Sequence, residues 1–281
     1  MKAAVPDVFL FTCEHGGNRI PAAYRPYFAE QQARLDSHRG YDPGALALAG
    51  ALARAFQGRR VSATVSRLLV DLNRSVGHPQ LFSPGLRALP LAVRNTIIAQ
   101  FHAPYRRRVE RFVSRAVANG QRVIHVSSHS FTPVLSGVVR NADVGLLYDP
   151  ARPGEAELCA GWKAALGTRA PELRVRRNYP YAGKNDGLTA HLRRHFTPGA
   201  YIGIELEINQ NMLTSRGRLA TRLHAALIES LRMACSLSNA APVPELVPEI
   251  VQHPQPTAAH ALDHDDQERV LFSVLTRGNT P

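Results

Sequence analysis

The stretch VFLFTCEHGG, from Val8 to Gly17, is a mostly apolar run that ends in a histidine and breaks into two glycines. A second run, VIHVSSH, ends in His129, and a third, YIGIELEINQ over residues 201–210, carries Glu205 and Glu207. Such short runs are typical of buried strands. In open α/β sheets, ligands bind beyond the carboxyl ends of parallel strands. Two imidazoles and a carboxylate at that edge indicate a metal-dependent hydrolase.

Predicted strands and helices alternate along the chain around these runs. We expect strands over residues 8–14, 61–72, 122–128, 137–148, 173–178 and 201–208. We expect helices over residues 42–57, 91–118 with an interruption near Pro104, 154–166, 186–195 and 212–237. This order predicts an α/β fold with a mixed, largely parallel central sheet flanked by helices on both faces.

The composition changes after about residue 238, where AAPVP (residues 240–244) and HPQP (residues 253–256) are typical of a tail or linker. We therefore expect one domain over residues 1–238 and a Pro-rich C-terminal tail over residues 239–281. Residues 259–276 could form one further short helix.

The overall composition is ordinary for a soluble globular protein, with 44% hydrophobic and 20% charged residues among 281. No apolar run approaches the roughly 20 residues that span a bilayer, and the N-terminus lacks the layout of a secretory signal. The three cysteines form neither a disulfide framework nor a Cys-x-x-Cys metal site. We expect a cytoplasmic protein without a membrane partner.

The formal charge of +12 comes almost entirely from arginine. A basic balance favours either nucleic acid or an anionic substrate as the partner. The arginines are scattered and are not interleaved with aromatic residues, as they are in a stacking platform, so nucleic acid is the less favoured partner. We interpret the cluster Arg106-Arg107-Arg108 as the solvated face of a helix.

His15 and His129 are candidate metal ligands because histidine is the commonest ligand type and both sit at strand ends beside small residues. The alternative is that both are loop histidines. Cys13, close to His15, could be a nucleophile, but its place inside the run favours a buried structural cysteine.

Glu205 and Glu207 are two residues apart on a strand, so they point to the same face of the sheet. Because a parallel strand is usually buried on both faces, these carboxylates must be paired or functional. The alternative to a functional role is a pair of salt bridges to arginine.

The stretch DLNR, residues 71–74, follows the apolar run that ends at Val70. The guanidinium of Arg74 is a planar fork that suits a carboxylate, and Asn73 adds a donor. The alternative is a local cap with a surface arginine.

The chain resembles the N-formylglutamate amidohydrolase family over roughly residues 8–235. The resemblance is carried by CEHGGNRIP (residues 13–21), SRLLVDLNRS (residues 66–75), SHSF (residues 128–131) and ELEINQ (residues 205–210). It implies a fold like that of the zinc carboxypeptidases and aspartoacylase, and hydrolysis of an N-formyl amide to formate and a free amino acid.

The resemblance also implies roles for single residues. His15 and His129 match the histidines of the family, Glu207 matches the carboxylate of its late strand, and Arg74 matches the arginine that receives a substrate carboxylate. The carboxypeptidase pattern His-x-x-Glu is absent, because Asn18 stands at the position of the glutamate. This departure leaves the third ligand open among Asn18, Asp42 and other residues. Asp42 is the candidate, with a helix N-cap as the alternative, for which Pro43 would be the first helical residue.

Our hypothesis is a zinc-dependent amidohydrolase acting on a small anionic N-formyl or N-acyl amino acid such as N-formylglutamate. Glu207 would be the catalytic base, with Glu205 of undetermined role, and Asn73 and Arg74 would bind the substrate. Arg140 would bind a second carboxylate or the oxyanion, or else be a surface arginine. The alternatives are a related zinc amidase with another acyl substrate and a basic nucleic-acid-binding protein without catalysis. The sequence leaves the oligomeric state open.

Overall fold

The computed structural model describes residues 6–213 and 218–239, and a β-sheet lies at its centre. The strands in the described part are β1 (Asp7–Cys13), β2 (Arg59–Ser62), β3 (Arg122–Phe131), β4 (Val134–Leu135), β5 (Val138–Val139), β6 (Val144–Leu147), β7 (Val175–Arg177) and β8 (Tyr201–Asn209).

Six of these strands form one sheet in the order β2-β1-β3-β8-β6-β7. The strands β2, β1, β3 and β8 are parallel, β6 pairs antiparallel with β8, and β7 pairs in parallel with β6. The strands β4 and β5 form a separate hairpin. The mixed, largely parallel sheet expected from the sequence is confirmed.

Helices cover both faces of this sheet. The α-helices in the described residues are α1 (Gln32–Leu35), α2 (Ala45–Ala55), α3 (Pro84–Arg87), α4 (Leu91–Ile97), α5 (Ala103–Ala118), α6 (Pro153–Arg169), α7 (Leu188–Arg193), α8 (Gln210–Leu213) and α9 (Arg218–Asn239). A 3₁₀ helix spans Ala22–Phe28, and a π-helical turn spans Ile98–His102.

Two hydrophobic cores separate these helices into layers. Leu10 of β1 belongs to a core that contains α5 and α7, whereas its neighbour Phe11 belongs to a core with α2, α6 and α9. Successive side chains of a strand point to opposite faces. The two cores therefore lie on opposite faces of the sheet.

The carboxyl ends of the parallel strands meet at one edge. His129 of β3 lies directly beside Glu207 of β8 in the ladder, and Ser127 lies beside Glu205. His15 follows β1 by two residues. The apolar runs that end near His15, His129 and Glu207 thus bring their polar side chains to the same edge of the sheet.

The strand predicted over residues 61–72 is wrong beyond Ser62. Val65 makes an isolated bridge to Arg19, and the backbone N–H of Leu69 donates to the carbonyl of Ser66 in a turn. Residues 68–70 are apolar because they pack into the core, not because they belong to a ladder. Periodicity does not separate these two causes in a short apolar run.

The proposed N-cap at Asp42 is also wrong. Helix α2 begins at Ala45, and Gly44 precedes it in a left-handed conformation with φ of 81°. That conformation favours glycine. Gly44 is therefore the residue directly before the helix, and both Asp42 and Pro43 lie before it.

The helix expected over residues 91–118 is interrupted where the sequence places the break, by the π turn that precedes Pro104. The solvated interpretation of the arginine cluster fails for Arg106, which α5 buries to 6% exposure, and holds for Arg107 and Arg108. The tail after residue 239, with its possible helix over 259–276, lies outside the described residues. Among the helices of the described part, none is long and apolar enough to cross a membrane.

Candidate active site

A cavity of about 330 Å³ opens at the carboxyl ends of β1, β3 and β8. Seven of the candidate site residues from the sequence line it, and Arg67 and Tyr181 are among the other residues of its walls. Those seven are His15, Asp42, Asn73, Arg74, His129, Glu205 and Glu207.

Two histidines and one aspartate form a compact group in this cavity. The Nδ1 atoms of His15 and His129 lie 3.3 and 2.9 Å from the same oxygen, Oδ2 of Asp42. The two ring centroids are 5.1 Å apart. One donor atom from each residue falls within 4.8 Å of the others, which is close enough to hold a metal ion.

The opposite nitrogen of each imidazole faces a different carboxylate. His15 Nε2 lies 2.7 Å from Asp71 Oδ1, and His129 Nε2 lies 3.1 Å from Glu14 Oε2. Burial disfavours the charged imidazoles, but these carboxylates and Asp42 raise the pKa of both histidines. Each ring is thus fixed in orientation by a carboxylate behind it.

Arg67 ties two of these carboxylates together. Its Nη1 donates to Asp42 Oδ1 and its Nη2 to Asp71 Oδ2, each at 3.1 Å. Despite the cost of burial, the Asp71 and Asp42 charges raise the pKa of the Arg67 guanidinium. Arg67 and Asp71 are four residues apart and are brought together by the turn over residues 67–69.

The third candidate ligand at the metal group is Asp42 and not Asn18. The side chain of Asn18 donates to Asp36 Oδ1 at 2.7 Å, away from the histidines. Asp42 lies in the loop before α2. Its backbone N–H donates to the carbonyl of His15, which brings its side chain to the site.

Glu207 lines the cavity beside His129. Its Oε2 atom is buried and has no hydrogen-bond partner among the described residues. Burial raises the pKa of the Glu207 carboxyl to about 7, and the charges of Asp42 and Glu205 act in the same direction. A carboxyl with that pKa can both accept and return a proton near neutral pH.

Glu205 has a different environment from Glu207. Its Oε1 accepts a hydrogen bond from Thr189 Oγ1 of α7 at 2.9 Å. Neither carboxylate forms a salt bridge to arginine within the described residues, so the alternative of two arginine pairs is wrong. Glu207 is the carboxylate of the two that is left free to act on a ligand.

Asn73 and Arg74 both line the cavity, and parts of both are already engaged. Asn73 Oδ1 accepts from the backbone N–H of Leu188 at 2.7 Å, which leaves its NH₂ group. Arg74 Nη1 donates to the carbonyl of Asp186 at 2.6 Å, and Arg74 Nε is buried without a partner. The edge of the guanidinium formed by Nε and Nη2 therefore remains for a ligand.

Arg140 lies behind the wall of the cavity and does not line it. Its guanidinium carbon is 5.0 Å from the ring centroid of Tyr181, which does line the cavity, and 5.8 Å from that of Phe131. At 9% exposure it is not a surface arginine.

Sequence reasoning missed Glu14 and did not assign Asp71. Glu14 accepts from Tyr105 at 2.8 Å and from Ser127 at 2.6 Å, and these bonds hold it behind His129. Despite burial, the bonds to His129 and Ser127 lower the pKa of Glu14. One signal in the sequence could have indicated a polar partner there: every second residue of β3 is polar, at His125, Ser127 and His129.

Cys13 is fully buried, and burial raises the pKa of its thiol well above the usual value. A thiol held protonated in this way is a poor nucleophile. Cys13 is therefore structural, as its position inside the run predicts.

The chain has relatives among solved structures and protein families. The chain is 31% identical to a gene product from Agrobacterium tumefaciens of known crystal structure, with a TM-score of 0.72 over 84% of this chain and 93% of that one. An N-formylglutamate amidohydrolase from Ralstonia eutropha JMP134 shares the fold, with 21% identity, a TM-score of 0.59 and coverage of 85% and 98%. Comparison with the curated proteins gives no match. The family model described as N-formylglutamate amidohydrolase matches residues 8–214, and the chain therefore belongs to the N-formylglutamate amidohydrolase family.

Proposed function

We propose that the protein is a zinc-dependent hydrolase that cleaves the amide of an N-formyl amino acid, with N-formyl-L-glutamate as its expected substrate. One observation carries this proposal. Two imidazole nitrogens meet the carboxylate of Asp42 in a cavity that also contains the unpartnered carboxylate of Glu207.

The chemistry of the donor set fits zinc. Catalytic zinc sites use three protein ligands of the nitrogen and oxygen type and keep a fourth position open. His15, Asp42 and His129 would hold the ion through the atoms that already converge. If His15 Nε2–H donates to Asp71, and His129 Nε2–H donates to Ser127 Oγ, which in turn donates to Glu14, both Nδ1 lone pairs face the site, as metal-binding histidines require. A zinc ion bound there would polarise the amide carbonyl and lower the pKa of the attacking water.

Glu207 is the residue we assign to proton transfer. It takes one proton from water as the water oxygen bonds to the formyl carbon. It then delivers that proton to the nitrogen as the carbon–nitrogen bond breaks, giving formate and the free amino acid. The buried Oε2 without a partner and the pKa near 7 support this role.

Arg74 is the residue we assign to the α-carboxylate of the substrate. Its Nη1 is fixed to the carbonyl of Asp186, so the guanidinium has a set direction. Its unpartnered Nε–H lacks an acceptor, and a buried donor without one costs about 1–3 kcal/mol. A carboxylate meeting the Nε and Nη2 edge would supply the acceptor in bidentate geometry. The NH₂ group of Asn73 is an additional donor.

Arg140 is the residue we assign to the second carboxylate of an acidic substrate. It is a buried cation stacked on Tyr181 at the wall of the cavity, and it makes no salt bridge within the described residues. Cations stacked on aromatic faces keep their donors in a defined plane.

The non-enzymatic alternative receives no support. Several arginines are buried inside the molecule, including Arg106, Arg140 and Arg152, so the positive charge is partly internal. A nucleic-acid footprint requires basic residues on one exposed face.

Metal analysis combined with formate release tests the proposal. The full-length protein is assayed on N-formyl-L-glutamate, N-formyl-L-aspartate, N-formyl-L-alanine and N-acetyl-L-glutamate. We expect about one zinc per chain and formate release that a chelator abolishes and zinc restores. Full turnover without metal, or no formate from any N-formyl amino acid with zinc bound, would overturn it.

A further inference from the structure

The main-chain carbonyl of Arg74 is held from behind by two side chains. His102 Nε2 lies 2.8 Å from this oxygen, and Arg106 Nη2 donates to it at 2.9 Å. Both side chains are buried, at 5% and 6% exposure. Neither residue lines the cavity, and the main chain of Arg74 is the part of the cavity wall to which both donate.

The π turn brings both donors to the same oxygen. His102 is its last residue, and Arg106 follows four residues later on α5. Residues four apart in a helix share a face. A π turn adds one residue and rotates the following face, and such turns are frequent at functional sites.

Asp186 holds the loop at Arg74 and Ser75 from the side opposite to α5. The carboxylate of Asp186 accepts from the backbone N–H of Ser75 at 2.9 Å and from its hydroxyl at 2.5 Å. Because Asp186 also provides the carbonyl for Arg74 Nη1, the loop is tied both to α5 and to the segment before α7.

Arg106 is in addition a buried cation with no salt bridge among the described residues, and its Nε and Nη1 have no hydrogen-bond partner there. A buried charge is costly unless an opposite charge accompanies it. The charges of Glu14, Asp186 and Asp71 offset this cost in part, and an anionic group bound at Arg74 would add a further negative charge.

We propose that His102 and Arg106 are positioning residues that hold the main chain of Arg74, so that its guanidinium meets a substrate carboxylate and the enzyme prefers acids to amides. This inference rests on the role of Arg74 in the proposed function. It adds two residues of α5 and its π turn to the determinants of specificity.

The test compares an acid with its amide in the zinc-loaded, full-length enzyme. The substrates are N-formyl-L-glutamate and its α-carboxamide analogue, and the variants are His102→Phe and Arg106→Met. A lost hydrogen bond of this kind is worth about a ten-fold change. We therefore expect the KM for the acid to rise about ten-fold, with kcat, zinc content and the KM for the amide near wild type.

Two further variants separate positioning from folding. His102→Gln keeps a donor and should restore most of the KM lost in His102→Phe. Arg108→Met removes a charge from the exposed side of the same helix and should leave both substrates unaffected. The Kd values of L-glutamate and its α-amide, measured by calorimetry, should follow the same pattern.

The outcomes distinguish this inference from the proposed function. If Arg74→Lys loses the preference for the acid while His102→Phe and Arg106→Met keep it, positioning by α5 is wrong and the carboxylate site stands. If Arg74→Lys keeps the preference, the role of Arg74 fails and this inference fails with it. If the α5 variants lose kcat and zinc, and if their KM rises equally for the acid and the amide, the role of these residues is merely structural.

Discussion

At the scale of single residues, both histidines of the site have a carboxylate facing each of their two ring nitrogens. His15 and His129 each have one nitrogen against Asp42 and the other against a separate carboxylate, Asp71 or Glu14. An imidazole between two carboxylates is electrostatically prepared for a cation on one side. This arrangement makes the carboxylates behind the rings as informative as the ligands themselves.

Removing a carboxylate behind a ring should weaken zinc binding. We expect Asp71→Asn and Glu14→Gln to lower zinc affinity by about 10–100-fold, because such partners orient the ring and raise its basicity. Competition with a chelator of known affinity measures the change. The matched control is Asp36→Asn, an exposed carboxylate outside the cavity. Unchanged affinity in both variants would contradict the ligand assignment.

Replacing Glu207 by Gln should leave the metal bound and remove most of the turnover. Gln keeps the size and polarity of the side chain but cannot accept the water proton. General base catalysis is typically worth about 10²–10⁴-fold in rate, and formate release from the zinc-loaded variant measures the loss. Rates like those of wild type would move the role elsewhere, and Glu205 would be the next residue to test.

At the scale of elements, the strand ends were predictable and the loop between them was not. The runs that become β1, β3 and β8 carry their histidines and glutamates at positions that the strand pattern alone defines. Asp42, Arg67 and Asp71 reach the site through a left-handed glycine and a turn, and these depend on tertiary contacts. The misassigned strand over residues 61–72 follows from this, because a buried turn is as apolar as a buried strand.

The polar face of β3 also makes stability depend on pH. His125 lies between Thr12 Oγ1 at 2.8 Å and the hydroxyl of Tyr201 at 2.7 Å, fully buried. Burial lowers the pKa of His125 from 6.5 to about 4. Between these values the unfolded chain binds the proton that the folded protein excludes. The free energy of unfolding therefore falls as the pH drops from about 6.5 towards 4.

We expect this residue alone to lower the free energy of unfolding by about 2 kcal/mol between pH 7.5 and pH 5. Denaturant titrations of metal-free wild type and His125→Gln at the two pH values isolate the contribution. The variant is expected to be less stable at pH 7.5 but to lose less stability on acidification. Identical losses in the two proteins would show that His125 is not the group that titrates.

At the scale of the whole molecule, truncated chains can test the domain expected over residues 1–238. The family match ends at residue 214, yet α9 (Arg218–Asn239) packs against α2 and α6. Its side chains Leu223, Leu227 and Leu231 are almost completely buried in the core that covers one face of the sheet. The smallest complete domain therefore has to include this helix.

A chain that ends at residue 239 should keep its zinc content, its thermal midpoint and formate release within about two-fold of the full-length protein. This follows because the described residues already form two hydrophobic cores and the cavity. The matched control ends at residue 213 and removes α9. Each leucine it loses contributes about 1.5–3 kcal/mol, so together they are comparable with the 5–15 kcal/mol that holds a typical domain folded. We expect that shorter chain to be insoluble or unfolded. Loss of zinc or activity in the chain ending at residue 239 would instead place part of the working enzyme beyond that residue.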